Sequence, residues 1–121
     1  MARILVVDDA AYMRLMLKKI IVDAGHEVIG EAGNGEEAVA KFKELSPDLT
    51  TLDITMPVQD GLDALKEIIE FDPDARVIMC SAYGQQPKVV ECMKAGALDF
   101  VVKPFQHATV FDAITNALKK K

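Results

Sequence analysis

Four short stretches of this sequence carry residue types that could do chemistry: Asp8-Asp9, Asp53, Ser81 and Lys103-Pro104. Taken singly, each has an ordinary explanation. An Asp-Asp pair caps helices, an Asp at a strand end bonds a turn, a Ser is structural, and a Lys before Pro sits on the surface. Position is what joins them. Each ends or directly follows a short apolar run: Ile4-Leu5-Val6-Val7, Leu49-Thr50-Thr51-Leu52, Val77-Ile78-Met79-Cys80 and Phe100-Val101-Val102. Three carboxylates, a hydroxyl and an ammonium therefore fall at the ends of four strand-like segments.

Brought together, those groups define a narrow chemistry. Three neighbouring carboxylates repel, so at least one has a raised pKa unless a cation sits among them. Mg2+ is the natural occupant, because it takes carboxylate oxygens and keeps waters that a phosphate can replace. Together with the Lys103 ammonium it would offset charge on a transferring phosphoryl group, a reaction that needs mainly positioning and electrostatic stabilisation. A carboxylate can itself be the nucleophile and form an aspartyl phosphate. Asp53 is the best placed, since it ends the central run.

The elements that must position these groups alternate regularly. A fifth strand-like run, Glu27-Val28-Ile29-Gly30, completes the set, and amphipathic helical stripes lie between and after the runs. The first stripe is Met13, Met16, Leu17, Ile20, Ile21 and Ala24, stopped by Gly25. Asn34 caps a second carrying Ala38, Val39, Phe42 and Leu45, which ends before Ser46-Pro47. Leu62, Leu65, Ile68 and Ile69 form the third, stopped by Asp72-Pro73. Val89, Val90 and Met93 form a weaker fourth that ends at Gly96, with Gln85-Gln86-Pro87 as its loop and first turn. Val110, Ala113, Ile114, Ala117 and Leu118 form the last. Five βα units with short connections predict a parallel α/β sheet covered by helices on both faces, with ligands at the carboxyl ends of the strands.

Composition narrows the function classes. A chain of 121 residues is the size of one domain. With 14 Lys and Arg against 19 Asp and Glu, its net charge is −5, which argues against a nucleic-acid partner. The longest basic run is only Lys119-Lys120-Lys121. No apolar stretch is long enough to span a bilayer, and no signal peptide precedes the first run, so a cytoplasmic protein without membrane insertion is expected. Cys80 and Cys92 fit no zinc pattern and read as reduced core thiols. His26 and His107 read as exposed and without a chemical role.

The ordered set of motifs resembles the receiver domains of two-component response regulators, and within them the single-domain chemotaxis type. It rests on Val6-Val7-Asp8-Asp9, Leu52-Asp53-Ile54-Thr55-Met56-Pro57, Asp60-Gly61, Ser81-Ala82 and Val101-Val102-Lys103-Pro104-Phe105, and runs over essentially the whole chain. The resemblance implies a flavodoxin-like (βα)5 fold, a doubly wound three-layer sandwich with strand order 2-1-3-4-5, as one receiver domain over residues 1–121 with no output domain. It implies Asp53 as phosphoacceptor, and Mg2+ held by Asp9, Asp53 and the Thr55 main-chain oxygen, with Asp8 acting through water. Lys103, Thr55 and Ala82 would bind the phosphoryl group. Ser81 and Phe100 would form the switch, and Lys103-Pro104 would be a cis peptide. Ser81 stands where Thr is commoner in the family. Phe100 stands where some members carry Tyr, and so lacks a hydroxyl to offer a partner.

The activity implied is a signalling switch, not a conventional enzyme, which catalyses its own phosphorylation and dephosphorylation. A histidine kinase of the CheA type would donate the phosphoryl group. The surface of the fourth helix, fifth strand and fifth helix would then bind the flagellar motor switch protein, with a phosphatase as a further partner and the chain acting as a monomer. A phosphorelay intermediate of the sporulation type, or a receiver cut from a longer response regulator, are the alternatives within the family. One alternative lies outside it. Gly33-Asn34-Gly35-Glu36-Glu37-Ala38 matches a dinucleotide-binding G-x-G-x-x-A, with Asp53 placed like a ribose-binding acid. A nucleotide-binding domain would leave Asp8, Asp9 and Lys103 unexplained.

Overall fold

A computed structural model describes residues 1–120, so the last Lys of the terminal basic run lies outside the described residues. The elements alternate throughout: β1 (Arg3–Val7), α1 (Ala11–Asp23), β2 (Glu27–Ala32), α2 (Gly35–Leu45), β3 (Leu49–Asp53), α3 (Gly61–Phe71), β4 (Val77–Ser81), α4 (Gln86–Lys94), β5 (Asp99–Val102) and α5 (His107–Lys119). All strand pairings are parallel and the order is β2-β1-β3-β4-β5, as expected, with β3 at the centre. No helix among the described residues is long and apolar enough to cross a membrane.

The near-continuous apolar strands divide by alternation into two cores. Leu5, Val7, Leu52, Val77 and Met79 face one way and pack on α2, α3 and α4 through Phe42, Leu65, Ile68, Val89 and Cys92. Ile4, Val6, Ile78, Cys80 and Val101 face the other way and pack on α1 and α5 through Leu17, Ile21, Val110 and Ile114. Successive side chains of a strand point to opposite faces, so a strand buried on both sides must be apolar at nearly every position. That explains why these strands lack the polar alternation of a one-sided sheet.

The helix ends follow their local chemistry. Asn34 Oδ1 accepts the Glu37 amide at the start of α2, and Asp60 Oδ1 accepts the Asp63 amide at the start of α3. Gly25 and Gly96 adopt φ of +86° and +118°, the left-handed conformation that stops α1 and α4 cheaply. Two sequence-based expectations need correction. The buried stripe of α4 is Val89 and Cys92, while Val90 and Met93 are exposed. A short helix at the rim of the sheet buries a narrower face than its apolar residues suggest. His26 is half-buried, and its Nδ1 accepts the Ala2 amide at 3.0 Å, so it has a structural role.

Candidate functional site

The chemistry-bearing residues meet because the sheet ladder continues a residue past the strands. The Asp8 amide donates to Ala32 O at 3.0 Å, the Ile54 amide to Cys80 O at 3.1 Å and the Lys103 amide to Ser81 O at 2.8 Å. Asp53 is the last residue of β3 and pairs with Cys80 of β4. Their side chains thus emerge at the carboxyl edge of three adjacent central strands and of β5. Carboxylate oxygens of Asp8, Asp9 and Asp53 lie within 4.8 Å of one another. Asp8 and Asp53 are buried and Asp9 stands at the exposed lip. Lys103 Nζ reaches both buried acids, 2.8 Å from Asp8 Oδ2 and 3.3 Å from Asp53 Oδ2. The Lys103–Pro104 peptide is cis.

The electrostatics follow from burial. The Asp53 carboxyl is pushed up from 3.8 to about 6, first by burial and then by the Asp8 charge, against the opposing pull of Lys103. Burial alone would lower the pKa of Lys103, but the Asp8 and Asp53 carboxylates outweigh it and hold the ammonium charged. Asp8 Oδ2 is buried and has no hydrogen-bond partner beyond this ion pair. One lysine therefore serves two buried carboxylates, with a third at the lip. The donor set is all oxygen, clustered, buried on one side and open on the other. That suits a hard divalent cation of the Mg2+ kind, which binds a few carboxylates and keeps an open side.

The phosphorylation-linked positions expected from the sequence surround this cluster. Ser81 is buried at the end of β4 and Ala82 follows it at the surface. Thr55 lies in the loop after β3, exposed. Phe100 is 42% exposed on β5 and borders a groove of about 600 Å³ with Tyr83, Val90, Met93 and Val102. The loop after β3 is tied down by glycine. The Gly61 amide donates to Ile54 O at 2.6 Å, and a Cβ on Gly61 would fall 2.0 Å from Asp53 O.

The sequence profile of the response regulator receiver domain matches residues 4–115. The chain belongs to the response regulator receiver family. Among this receiver's relatives, chemotaxis protein CheY of Thermotoga maritima is 60% identical over 117 residues, spanning 97% of this chain and 98% of its own. CheY of Bacillus subtilis is 60% identical over 116 residues, spanning 96% and 97%. A chain in the crystal structure of the CheX–CheY complex of Borrelia burgdorferi, with beryllium fluoride and Mg2+, superposes with a TM-score of 0.93 at 42% identity. That match covers 98% of this receiver and 90% of the Borrelia chain. Receiver domains bind Mg2+ at an acidic pocket, and the clustered aspartates supply such a pocket here.

The nucleotide-binding alternative fails on geometry. The Gly35 amide donates to Gln59 O at 2.8 Å, and the Gly33 amide donates to Glu37 Oε1 at 2.9 Å. With Asn34 capping Glu37, the amides of Gly33, Gly35 and Glu37 are engaged within the protein and not offered to a pyrophosphate. Gly35 is small because a Cβ there would lie 2.4 Å from Gln59 O, so the close approach is to the loop after β3 and not to a ligand.

One residue at the site escaped sequence reasoning. Gln85 donates through Nε2 to Thr55 Oγ1 at 2.6 Å and accepts the Ala82 amide at Oε1, also at 2.6 Å. Its partners are distant or backbone, so neither motif nor periodicity marks it.

Proposed function

We propose that this receiver is a phosphorylation-controlled switch in chemotaxis, with Asp53 as the phosphoacceptor. The observation that carries the reading is the pair of buried carboxylates sharing Lys103 at the carboxyl edge of the sheet, with Asp9 at the lip. A phosphohistidine of a CheA-type kinase is the donor. An Asp53 oxygen attacks phosphorus, the P–N bond breaks, and the departing imidazole keeps the electron pair and takes a proton. Asp8, Asp9, Asp53 and the Thr55 main-chain oxygen would hold Mg2+, which when bound neutralises charge on the phosphoryl oxygens. Lys103 pairs with a phosphoryl oxygen, and the Ala82 amide and the Ser81 hydroxyl donate to others. A water oxygen attacking phosphorus breaks the P–O bond to Asp53, regenerates the carboxylate and releases inorganic phosphate and a proton, which gives self-catalysed dephosphorylation.

The switch runs through β4 and β5. Movement of Ser81 toward the phosphoryl group leaves room for Phe100, now 42% exposed, to turn into the groove beside α4. The α4-β5-α5 surface then changes its affinity for the flagellar motor switch. This is a shift between two populated states, so a minor active form exists without phosphate. The chemotaxis relatives, matched over nearly their full length, support the chemotaxis role within which this donor and this output are proposed. The Borrelia complex of CheX with CheY supports a partner of the CheX kind.

Intact-mass measurement after incubation with a small acyl phosphate and Mg2+ tests the reading. A single phosphoryl adduct that requires metal and is absent in Asp53→Asn is expected. An adduct on Asp53→Asn, or none with either a small donor or a phosphorylated kinase domain, would overturn it.

A further inference from the structure

The Gln85 side chain joins two groups assigned above to the phosphoryl site. Its amide orientation is forced, because the Ala82 amide can only donate and therefore faces Oε1, leaving Nε2 for the Thr55 hydroxyl. Gln85 also occupies the N-cap position of α4, yet its side chain makes no cap bond to that helix. It reaches sideways across the mouth of the site instead. A second, looser tie runs parallel: Lys88 of α4 lies 4.0 Å from Asp60 at the start of α3. The start of α4 is thus moored to the loop after β3 from the Gln85 side and from the Lys88 side.

We infer that Gln85 is a latch that holds the unphosphorylated receiver by occupying the Ala82 amide and must be displaced when a phosphoryl group claims it. The inference rests on Asp53 being the phosphoacceptor. A phosphoryl oxygen is a charged acceptor and makes the stronger bond, so the exchange favours release once Asp53 is modified. Release also frees the Thr55 hydroxyl and removes the closer of the two ties on the first turn of α4, leaving the looser Lys88–Asp60 pair. Because α4 forms one wall of the groove that Phe100 borders, the latch couples the chemistry to the output surface. Gln85 is a positioning residue, since it acts through Ala82 and Thr55.

The test uses beryllium fluoride with Mg2+ as a mimic of the acyl phosphate, on the full chain. Gln85→Ala and Gln85→Met remove both bonds, the second at nearly constant side-chain length. Each should bind the mimic about 2- to 10-fold more tightly, the worth of one net hydrogen bond, with Mg2+ affinity alone unchanged. Gln85→Glu accepts more strongly from Ala82 and repels the mimic, and should bind it more weakly. Unchanged or weakened binding in both Gln85→Ala and Gln85→Met would overturn the latch, because a residue that merely supports the loop gives that result. Hydrogen exchange at the Ala82 amide in the metal-free protein decides the point separately. Exchange should be about 2- to 10-fold slower in the native chain than in Gln85→Ala. Equal rates would overturn the latch. Failure of the native chain to bind the mimic at all would instead remove the Asp53 reading, with the exchange comparison still deciding the contact.

Discussion

Replacing Asp53 with Asn should stabilise the metal-free fold. Burial and the Asp8 charge hold the Asp53 carboxyl at about 6, against 3.8 when free, even with Lys103 at 3.3 Å. Below pH 3.8 both folded and unfolded chains carry the proton, and the site contributes no pH dependence. Between 3.8 and about 6 the unfolded chain releases it first, so stability falls as pH rises through that window. Above about 6 the folded protein holds an ionised carboxylate that its surroundings disfavour. The full effect is about 3 kcal/mol, at roughly 1.4 kcal/mol for each tenfold change in proton affinity. Asn has the shape of the protonated acid and no charge. Asp53→Asn should therefore gain up to about 3 kcal/mol near neutral pH and less than about 1 kcal/mol near pH 4. For a chain of this size the neutral-pH gain corresponds to a melting temperature roughly 10 °C higher. Urea denaturation of both proteins in chelator, at neutral and acid pH, measures the gap. Titrating groups remote from Asp53 are common to the two chains and cancel in the difference, while Asp8, Asp9 and Lys103 feel its charge and enter the same gap. Mg2+ should then narrow the gap, because it binds the folded native site and stabilises it by mass action. A variant no more stable than the native protein at neutral pH, or a gap that ignores pH, would refute the crowded-acid reasoning.

Three other perturbations follow from the same geometry. Lys103→Ala leaves Asp8 and Asp53 without their shared cation; metal-free stability at neutral pH should drop by about 1–3 kcal/mol, Mg2+ binding by calorimetry should not weaken, and the mimic should no longer bind or shift the α4-β5-α5 resonances. Gly61→Ala places a methyl group 2.0 Å from Asp53 O and should lose about 2–4 kcal/mol in a denaturant melt, with loss of metal binding as the loop after β3 is displaced. Burial raises the pKa of both thiols, with the Asp53 charge adding at Cys80, so Cys80 and Cys92 should resist a thiol reagent in the folded protein and react at the rate of unfolding. Rapid labelling of Cys80 under native conditions would contradict that packing.

Much of this protein was written in local sequence. The strand runs, helix stripes and stops at Gly25, Ser46-Pro47, Asp72-Pro73 and Gly96 depend on periodicity and on backbone preferences of single residues. Parallel βα units then admit few topologies, and the acids after β1 and β3 and the Lys after β5 had to share an edge. The family resemblance added the strand order and the roles of Ser81 and Phe100. Other features waited for the tertiary structure, because they depend on distances between segments far apart in the chain. Cys92 is in the core as its apolar setting suggests, but that Val90 and Met93 face outward was decided by how α4 sits on the rim of the sheet. Gly35 looked like part of a phosphate loop until Gln59 O stood against it. The raised pKa of Asp53 needed both its burial and the competing distances to Asp8 and Lys103. Gln85 reaches a hydroxyl 30 residues away, and no spacing rule connects two loops that only the packed sheet brings together.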